Sequence, residues 1–275
     1  MLTYRISPRA RADLHSSNIS IFKPNPEYII KQSGFRAWNR ILSLPYFEKR
    51  LGDLEVIFLS YQEMKERSPK SAGLLAFSAF PDGPVYIFTN NVLDRMNKCS
   101  LDPYLQLVYL ISHELVHAND YLGPLGKLRA GLQERYRKTL NKHVGIKELM
   151  DLHSLRDFMR TFEEGRAIRI EQALASENTD PLGHKTWFEL HNGERPCFKG
   201  INDLDYAEFI RRLQILEPVK IWDQLEPTKE EILHPERFEA RISKLYDNVR
   251  NSELFLDNVL LFPLSRTFYL DEMMS

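Results

Sequence analysis

The sequence predicts an α+β fold, in which a small N-terminal β-sheet precedes a mainly helical C-terminal part. Short apolar and β-branched runs, which are typical of strands, fall within the first 90 residues. From about residue 127 onward, the spacing of apolar residues is helical. The chain has 275 residues and is 43% hydrophobic, so it can bury a sizeable core in one large domain or two modest ones.

Composition and charge exclude several classes of protein. The 37 basic and 38 acidic residues give a net charge of −1, which argues against a globally basic nucleic-acid-binding protein. Cys99 and Cys197 form no CxxC motif, so we expect reduced cysteines, with at most one disulfide. The sequence has no secretory signal and no apolar run long enough to span a membrane. We therefore expect a cytoplasmic protein with no membrane partner; an organelle transit peptide is the alternative.

The strands and the first long helix have clear boundaries. Residues 54–60 predict a buried strand, and residues 73–80 and 84–90 predict two strands joined by a turn at Pro81-Asp82-Gly83. A helix is predicted from Asp102 to Gly123-Pro124, because Asp caps helices and Pro103 suits a first helical position. Its apolar stripe comprises Leu105, Val108, Ile111, Leu115 and Leu122.

Helical patterns continue after this helix. They are predicted over residues 127–142, 147–176, 205–216, 218–225 and 235–250, with an irregular loop over residues 178–204. A division near Gly123 gives an N-terminal lobe of residues 1–123 and a helical lobe of residues 124–275. Clefts between lobes commonly hold functional sites. Residues 1–50 and the tail after about residue 250 carry no pattern from which their structure or role can be predicted.

The chemistry concentrates in His113-Glu114-Leu115-Val116-His117, an HExxH motif inside the predicted helix. Residues four apart project from one helical face, so both imidazoles can reach a single metal ion. Glu114 then lies near the metal without binding it, where it can take a proton from bound water. The motif therefore predicts a zinc site with its own general base.

The surrounding helix strengthens this interpretation. Between Leu105 and Asn119 the only formally charged residue is Glu114, which predicts a buried helix. An isolated carboxylate is costly to bury unless it becomes neutral or meets a cation. The alternative is a core helix with two hydrogen-bonded histidines, but a metal accounts better for two histidines and a carboxylate together.

The HELVH segment, preceded by a strand pair and followed by a glutamate-bearing helix, resembles the zincin metallopeptidases of the gluzincin type. In that family the third zinc ligand is a glutamate on a second helix, often in a Glu-Gly-x-Ala pattern, which Glu164-Gly165-Arg166-Ala167 matches. The resemblance implies a zincin-like fold and Zn²⁺ held by His113, His117 and Glu164.

The same resemblance implies a reaction. Zinc would polarise a substrate carbonyl and lower the pKa of its bound water, while Glu114 acts as general base in the hydrolysis of peptide bonds. The partner is then a peptide or protein substrate, expected to lie along an edge strand within residues 73–79. The oligomeric state, the substrate and the choice between endo- and exopeptidase stay open.

Some assignments have alternatives. Glu163 is adjacent to Glu164, and periodicity does not separate the two as third ligand. The layout HExxHxxGxxH is excluded, because Asp120 and Gly123 occupy its glycine and last histidine positions. Asp120 either orients an imidazole by a hydrogen bond or is an ordinary polar residue near the helix end.

A downstream segment offers one further candidate. The ILHPE run at residues 232–236 resembles a segment of some gluzincin-like proteins, in which it follows the Glu-Gly-x-Ala helix. His234 could donate a hydrogen bond to a developing oxyanion, or it could be a surface histidine at a helix start. Tyr206 is a weaker candidate for the same task. The remaining histidines have no ligand-like spacing: His15, His143, His153, His184 and His191.

A second class of function is a zincin fold used as a binding or regulatory module without significant turnover. Residues 127–142 carry six basic residues and one acidic residue, so such a module could associate with nucleic acid. A solvated helix face is the commoner meaning of such a run. The presence of Glu114 favours the enzyme, because a structural zinc site needs no general base.

Overall fold

The computed structural model describes residues 2–42, 47–67, 76–79, 83–98, 102–141 and 228–234, together with positions 163, 167, 237, 240, 241 and 244. The described part is α+β, with one small mixed sheet and mostly helical content, which confirms the predicted fold class at that level. Within this part, no helix is both long and apolar enough to cross a membrane.

Four strands and seven helices are defined along the described chain. The strands are β1 Thr3–Ile6, β2 Glu55–Leu59, β3 Ala76–Ser78 and β4 Val85–Phe88. The helices are α1 Pro8–Ser16, α2 Pro26–Leu42, α3 Tyr61–Arg67, α4 Thr89–Lys98, α5 Pro103–Leu122, α6 Pro124–Asn141 and α7 Lys229–Leu233. Two short 3₁₀ turns, Ser20–Phe22 and Lys49–Asp53, complete the set.

The sheet has the strand order β1-β2-β4-β3. Strands β1, β2 and β4 run parallel, and β3 runs antiparallel to β4 at one edge. From Val56 onward the inner strand β2 is apolar and buried, because both of its faces are covered. Val56 and Phe58 join the main core, whereas Ile57 and Leu59 pack with Met64 on the opposite face.

The main core lies where α2 packs along α5 and the sheet. Ile30 and Ile41 of α2 are fully buried in it, as are Ile111 and Leu115 of α5. The N-terminal 50 residues, which the sequence patterns left unassigned, therefore supply an edge strand and the principal packing partner of the motif-bearing helix.

Helix α5 matches its prediction at both ends. Asp102 caps it, with its Oδ1 accepting a hydrogen bond from the Leu105 amide at 3.0 Å, and Pro103 is the first helical residue. The helix ends at Leu122, whose carbonyl accepts a hydrogen bond of 2.6 Å from Arg50. All members of the predicted apolar stripe are buried: Leu105, Val108, Ile111, Leu115 and Leu122.

Helix α6 begins at Pro124 rather than at the predicted residue 127. The reason is Gly126, the residue just before the predicted start. A Cβ atom there would lie 1.8 Å from the Tyr121 carbonyl oxygen, so glycine allows the first turn of α6 to pack against the end of α5. The proposed boundary at Gly123 thus falls at a close junction between two helices.

The strand predicted over residues 84–90 ends at Phe88, and α4 begins at Thr89. The polar side chains that follow β4 form hydrogen bonds to the main chain at the end of β2, and the pairing of the two strands does not continue past Phe88. Thr89 Oγ1 donates to the Leu59 carbonyl at 3.1 Å, and Asn90 Oδ1 accepts from the Tyr61 amide at 2.5 Å. Of the strand predicted over residues 73–80, Ala76–Ser78 form β3, and Ala79, the other described residue, follows the strand.

Several predicted elements lie outside the described residues. These are the turn at Pro81-Asp82, the helices over residues 205–216 and 218–225, the loop over residues 178–204 and most of the helix over residues 147–176. In that last range, Glu163 and Ala167 are described and helical. Helix α7 precedes the helix predicted over residues 235–250, of which Arg237, Ala240, Arg241 and Lys244 are helical.

Candidate metal centre

The two histidines of the HExxH motif face each other across one turn of α5. Their Nε2 atoms lie 3.0 Å apart, and the rings are nearly perpendicular, at 74° with centroids 4.7 Å apart. His117 is 5% exposed and His113 is half-buried. The helix therefore brings the same nitrogen of each ring to one point at the edge of the core.

This separation suits a shared metal ion. Two nitrogens bound to a tetrahedral zinc at about 2.0–2.1 Å lie about 3.3 Å apart. The observed Nε2–Nε2 distance is within a few tenths of an ångström of that value. It is also a hydrogen-bond distance, so in the metal-free chain one imidazole can donate to the other. The two imidazole nitrogens therefore fit a zinc site, and their separation also fits a pair of histidines joined by a hydrogen bond.

Glu114 is buried, as the sequence predicts, with 6% of its surface exposed. On the sheet, it contacts Ser78 of the edge strand β3. The Ser78 hydroxyl lies 2.5 Å from the Glu114 carbonyl oxygen and 3.2 Å from its Oε2. Since a hydroxyl has one hydrogen, Ser78 donates to these two acceptors in turn or shares the proton between them. The Ser78 hydroxyl therefore links Glu114, the candidate general base, to the edge strand β3 by hydrogen bonding.

The third ligand is not settled by the described residues. Glu164, the predicted ligand, lies outside them. Glu163, its alternative, is 2% exposed and accepts a hydrogen bond of 2.6 Å from Arg129 of α6. Among the residues that the structure describes, no three His, Cys, Asp or Glu side chains form a group able to hold a metal. The pairing with Arg129 gives Glu163 a cation partner other than a metal ion.

Arg129 also contacts the last turn of α5. Its Nη1 lies 2.9 Å from the Tyr121 hydroxyl, and its guanidinium carbon lies 4.8 Å from the centre of the Tyr121 ring. The Tyr121 ring in turn stacks on His117, at 18° between the planes and 6.0 Å between the centroids. A continuous set of contacts therefore runs from Glu163 to a candidate ligand.

The other predicted residues have differing environments. Asp120 is 1% exposed on the buried face of α5, and its role in orienting an imidazole stays a prediction. His234 is exposed at the C-terminal cap of α7, where its amide donates to the Glu230 carbonyl. Its role towards an oxyanion also stays a prediction. Tyr206 lies outside the described residues.

Three residues at the centre were not predicted from the sequence: Ser78, Tyr121 and Arg129. Tyr121 follows His117 by four residues, so helical periodicity could have placed it beside that ring. Arg129 belongs to a basic run whose members look alike in the sequence. No local pattern distinguishes the one that turns inward, or shows that Ser78 meets α5.

Comparison of the chain with protein-family models, with curated proteins and with solved structures gave no match. The residues of the site therefore carry the functional argument.

Proposed function

We propose that the protein is a zinc-dependent hydrolase of peptide bonds with a zincin-like arrangement of helix, ligands and edge strand. The observation that carries this proposal is the pair of Nε2 atoms 3.0 Å apart on a buried helix, together with the burial of Glu114, which follows His113 in the chain. A structural zinc site would need neither a neighbouring carboxylate nor an open fourth position.

In this proposal His113, His117 and Glu164 hold the metal. Zinc bound there would supply a Lewis acid that polarises the scissile carbonyl and lowers the pKa of water. The histidines need the same tautomer, with Nε2 free of a proton, so that both lone pairs point inward. Glu164 would bring the negative charge that a two-imidazole site lacks.

Glu114 acts first as the general base and then as the general acid. Its carboxylate takes a proton from the attacking water and delivers it to the leaving amine nitrogen as the C–N bond breaks. The contact with Ser78 limits the rotation of this side chain. The burial of Glu114 limits the access of bulk water, which would otherwise compete for the proton.

Strand β3 is the proposed platform for the substrate. It lies at the edge of the sheet and contacts α5 at Glu114. An extended peptide can add to an edge strand through main-chain hydrogen bonds, which places its carbonyl groups beside the active helix. This arrangement favours peptide substrates over small esters or phosphates.

The test is the substitution Glu114→Gln, which keeps the shape of the side chain and removes its basicity. We expect the variant to bind one zinc per chain, as the wild type does, and to lose at least about 100-fold in hydrolysis. Metal content is measured by plasma mass spectrometry, and cleavage of a denatured protein mixture by mass spectrometry of new termini.

Two outcomes would overturn the proposal in different ways. Wild-type protein that binds no zinc would support the hydrogen-bonded histidine pair, which the 3.0 Å distance also allows. Zinc binding together with equal cleavage patterns for wild type and Glu114→Gln would support a binding or regulatory module.

A further inference from the structure

Arg129 joins three helical segments beside the candidate metal centre. From α6 its Nη1 donates to Glu163 at 2.6 Å and to the Tyr121 hydroxyl of α5 at 2.9 Å. Its guanidinium also lies against the Tyr121 ring, at 4.8 Å, within the range of cation–π attraction. One side chain thus contacts the motif-bearing helix and the helical segment that carries Glu163.

Tyr121 passes this contact on to a metal ligand. It lies one helical turn beyond His117, and the two rings are nearly parallel, at 18°. A ring fixed at both its face and its hydroxyl restricts the orientation of the imidazole that stacks on it. Residues that hold a ligand in this way commonly affect metal affinity although they do not touch the metal.

The pair of Arg129 with Glu163 differs from an ordinary surface ion pair. The Glu163 side chain is 3% exposed and that of Arg129 is 29% exposed. On the same helix, Arg137 pairs with Glu134 at 2.7 Å, with side chains 70% and 43% exposed. A charge as buried as that of Glu163 must be paired, whereas the exposed pair contributes little.

We propose that Arg129 is a positioning residue of the metal centre. It acts on His117 through Tyr121, and its ion pair with the buried Glu163 fixes the guanidinium in place against Tyr121. The inference rests on the proposed function, because it assumes that His117 binds zinc. It assigns Glu163 to Arg129 and leaves the metal to Glu164.

The experiment measures zinc affinity by competition with a chromophoric chelator, and records the visible absorption of the cobalt-substituted protein. Replacing Arg129 by methionine is expected to lower zinc affinity about 10- to 100-fold and to change the cobalt spectrum. Arg137→Met, on the exposed side of the same helix, is the matched control and should remain within twofold of wild type.

Further variants distinguish a specific loss of zinc affinity from a loss caused by unfolding. Arg129→Met leaves Glu163 buried without its cation, so the double variant Arg129→Gln/Glu163→Gln replaces the ion pair by two neutral amides. It should fold and still lose about tenfold in zinc affinity, because the contact of the guanidinium with Tyr121 is gone. Glu163→Gln alone keeps Arg129 on Tyr121 and should stay within about threefold of wild type.

The outcomes separate this inference from the proposed function. If wild-type protein binds no zinc, both fall. If it binds zinc, and the double variant has wild-type affinity and an unchanged cobalt spectrum, Arg129 has a structural role only and the inference alone is wrong. If Glu163→Gln lowers zinc affinity as much as His117→Ala does, Glu163 is itself a zinc ligand. That result would also overturn the inference about Arg129.

Discussion

Two carboxylates show how single residues shape this site. Glu114 and Glu163 are 6% and 2% exposed, and each lies beside a donor from another element. Ser78 reaches Glu114 from the edge strand, and Arg129 reaches Glu163 from α6. Buried carboxylates need such donors. The different donors, a hydroxyl for Glu114 and a guanidinium for Glu163, suit the proposed roles of a general base and of a carboxylate that stays charged.

At this scale we predict that His113→Ala and His117→Ala each reduce zinc affinity at least about 100-fold, because each removes one of the proposed ligands. Isothermal titration with zinc in a weakly competing buffer measures the effect. His15→Ala is the control, since His15 is exposed near the end of α1. Equal affinity in all three variants would mean that zinc binds elsewhere.

Helices α5 and α6 form the element on which the site depends. They are separated by Gly123 alone, which caps the end of α5, and each begins with a proline, a residue favoured at the first helical position. The close packing of the first turn of α6 on the end of α5 brings Arg129 to Tyr121. The position of Arg129 relative to Tyr121 therefore depends on how the two helices pack at this junction.

Two glycines of α6 give a matched prediction for this junction. Gly126→Ala would place a methyl group against the main chain at Tyr121, 1.8 Å from its carbonyl oxygen. We expect a loss of about 2 kcal/mol or more in the free energy of unfolding. Gly131→Ala meets no atom within 4 Å and should instead stabilise the helix by about 0.5–1 kcal/mol.

Urea unfolding followed by circular dichroism measures both glycine variants. Effects of the same sign and size would show that the helix junction is looser than the structure indicates. A further consequence links this junction to the metal centre: Gly126→Ala should also weaken zinc binding, whereas Gly131→Ala should not.

At the scale of the whole molecule, the neighbouring parallel strands β1 and β2 share a carboxylate, Glu63, at their carboxyl ends. Ser7 follows β1 and caps α1, and its hydroxyl also donates to Glu63. The Ser60 amide, just after β2, donates to the same carboxylate at 2.9 Å, and the Ser60 hydroxyl accepts from the Glu63 amide at 3.3 Å. Glu63 thus connects the carboxyl ends of two neighbouring strands.

The acid stability of the chain should reflect this carboxylate. Burial by itself raises the pKa of Glu63, but hydrogen bonds from Ser7 and Ser60 and the charge of Arg9 outweigh it, so the pKa lies below its ordinary value. The stability that Glu63 contributes is therefore present above the unfolded pKa, about 4.3, and is lost as the pH falls through the lower folded pKa.

The measurement compares wild type with Glu63→Gln in urea at pH 7 and pH 3. We expect the variant to be less stable at pH 7 and the difference to shrink at pH 3. Glu66→Gln removes an exposed pair with Arg9 and should change little at either pH. A difference between wild type and Glu63→Gln that does not vary with pH would contradict this assignment.

The sequence by itself determined the elements whose signals are local. Helix α5 is defined by a capping Asp, a first-turn proline and an ending glycine, and its burial follows from a stretch with Glu114 as its only charge. The spacing of His113 and His117 follows from helical geometry. The position of β3 at a sheet edge agrees with the expectation for the strand over residues 73–79.

Only the tertiary structure decided which distant residues meet. The pairing of β1 with β2, the packing of α2 on α5 and the approach of Ser78 to Glu114 depend on contacts between residues far apart in the chain. In the sequence Arg129 is one of six basic residues in a helical run, and Glu163 and Glu164 are neighbours with the same chemistry. Packing distinguishes Arg129 from the other described basic residues of this run, because its guanidinium turns inward and pairs with the buried carboxylate of Glu163.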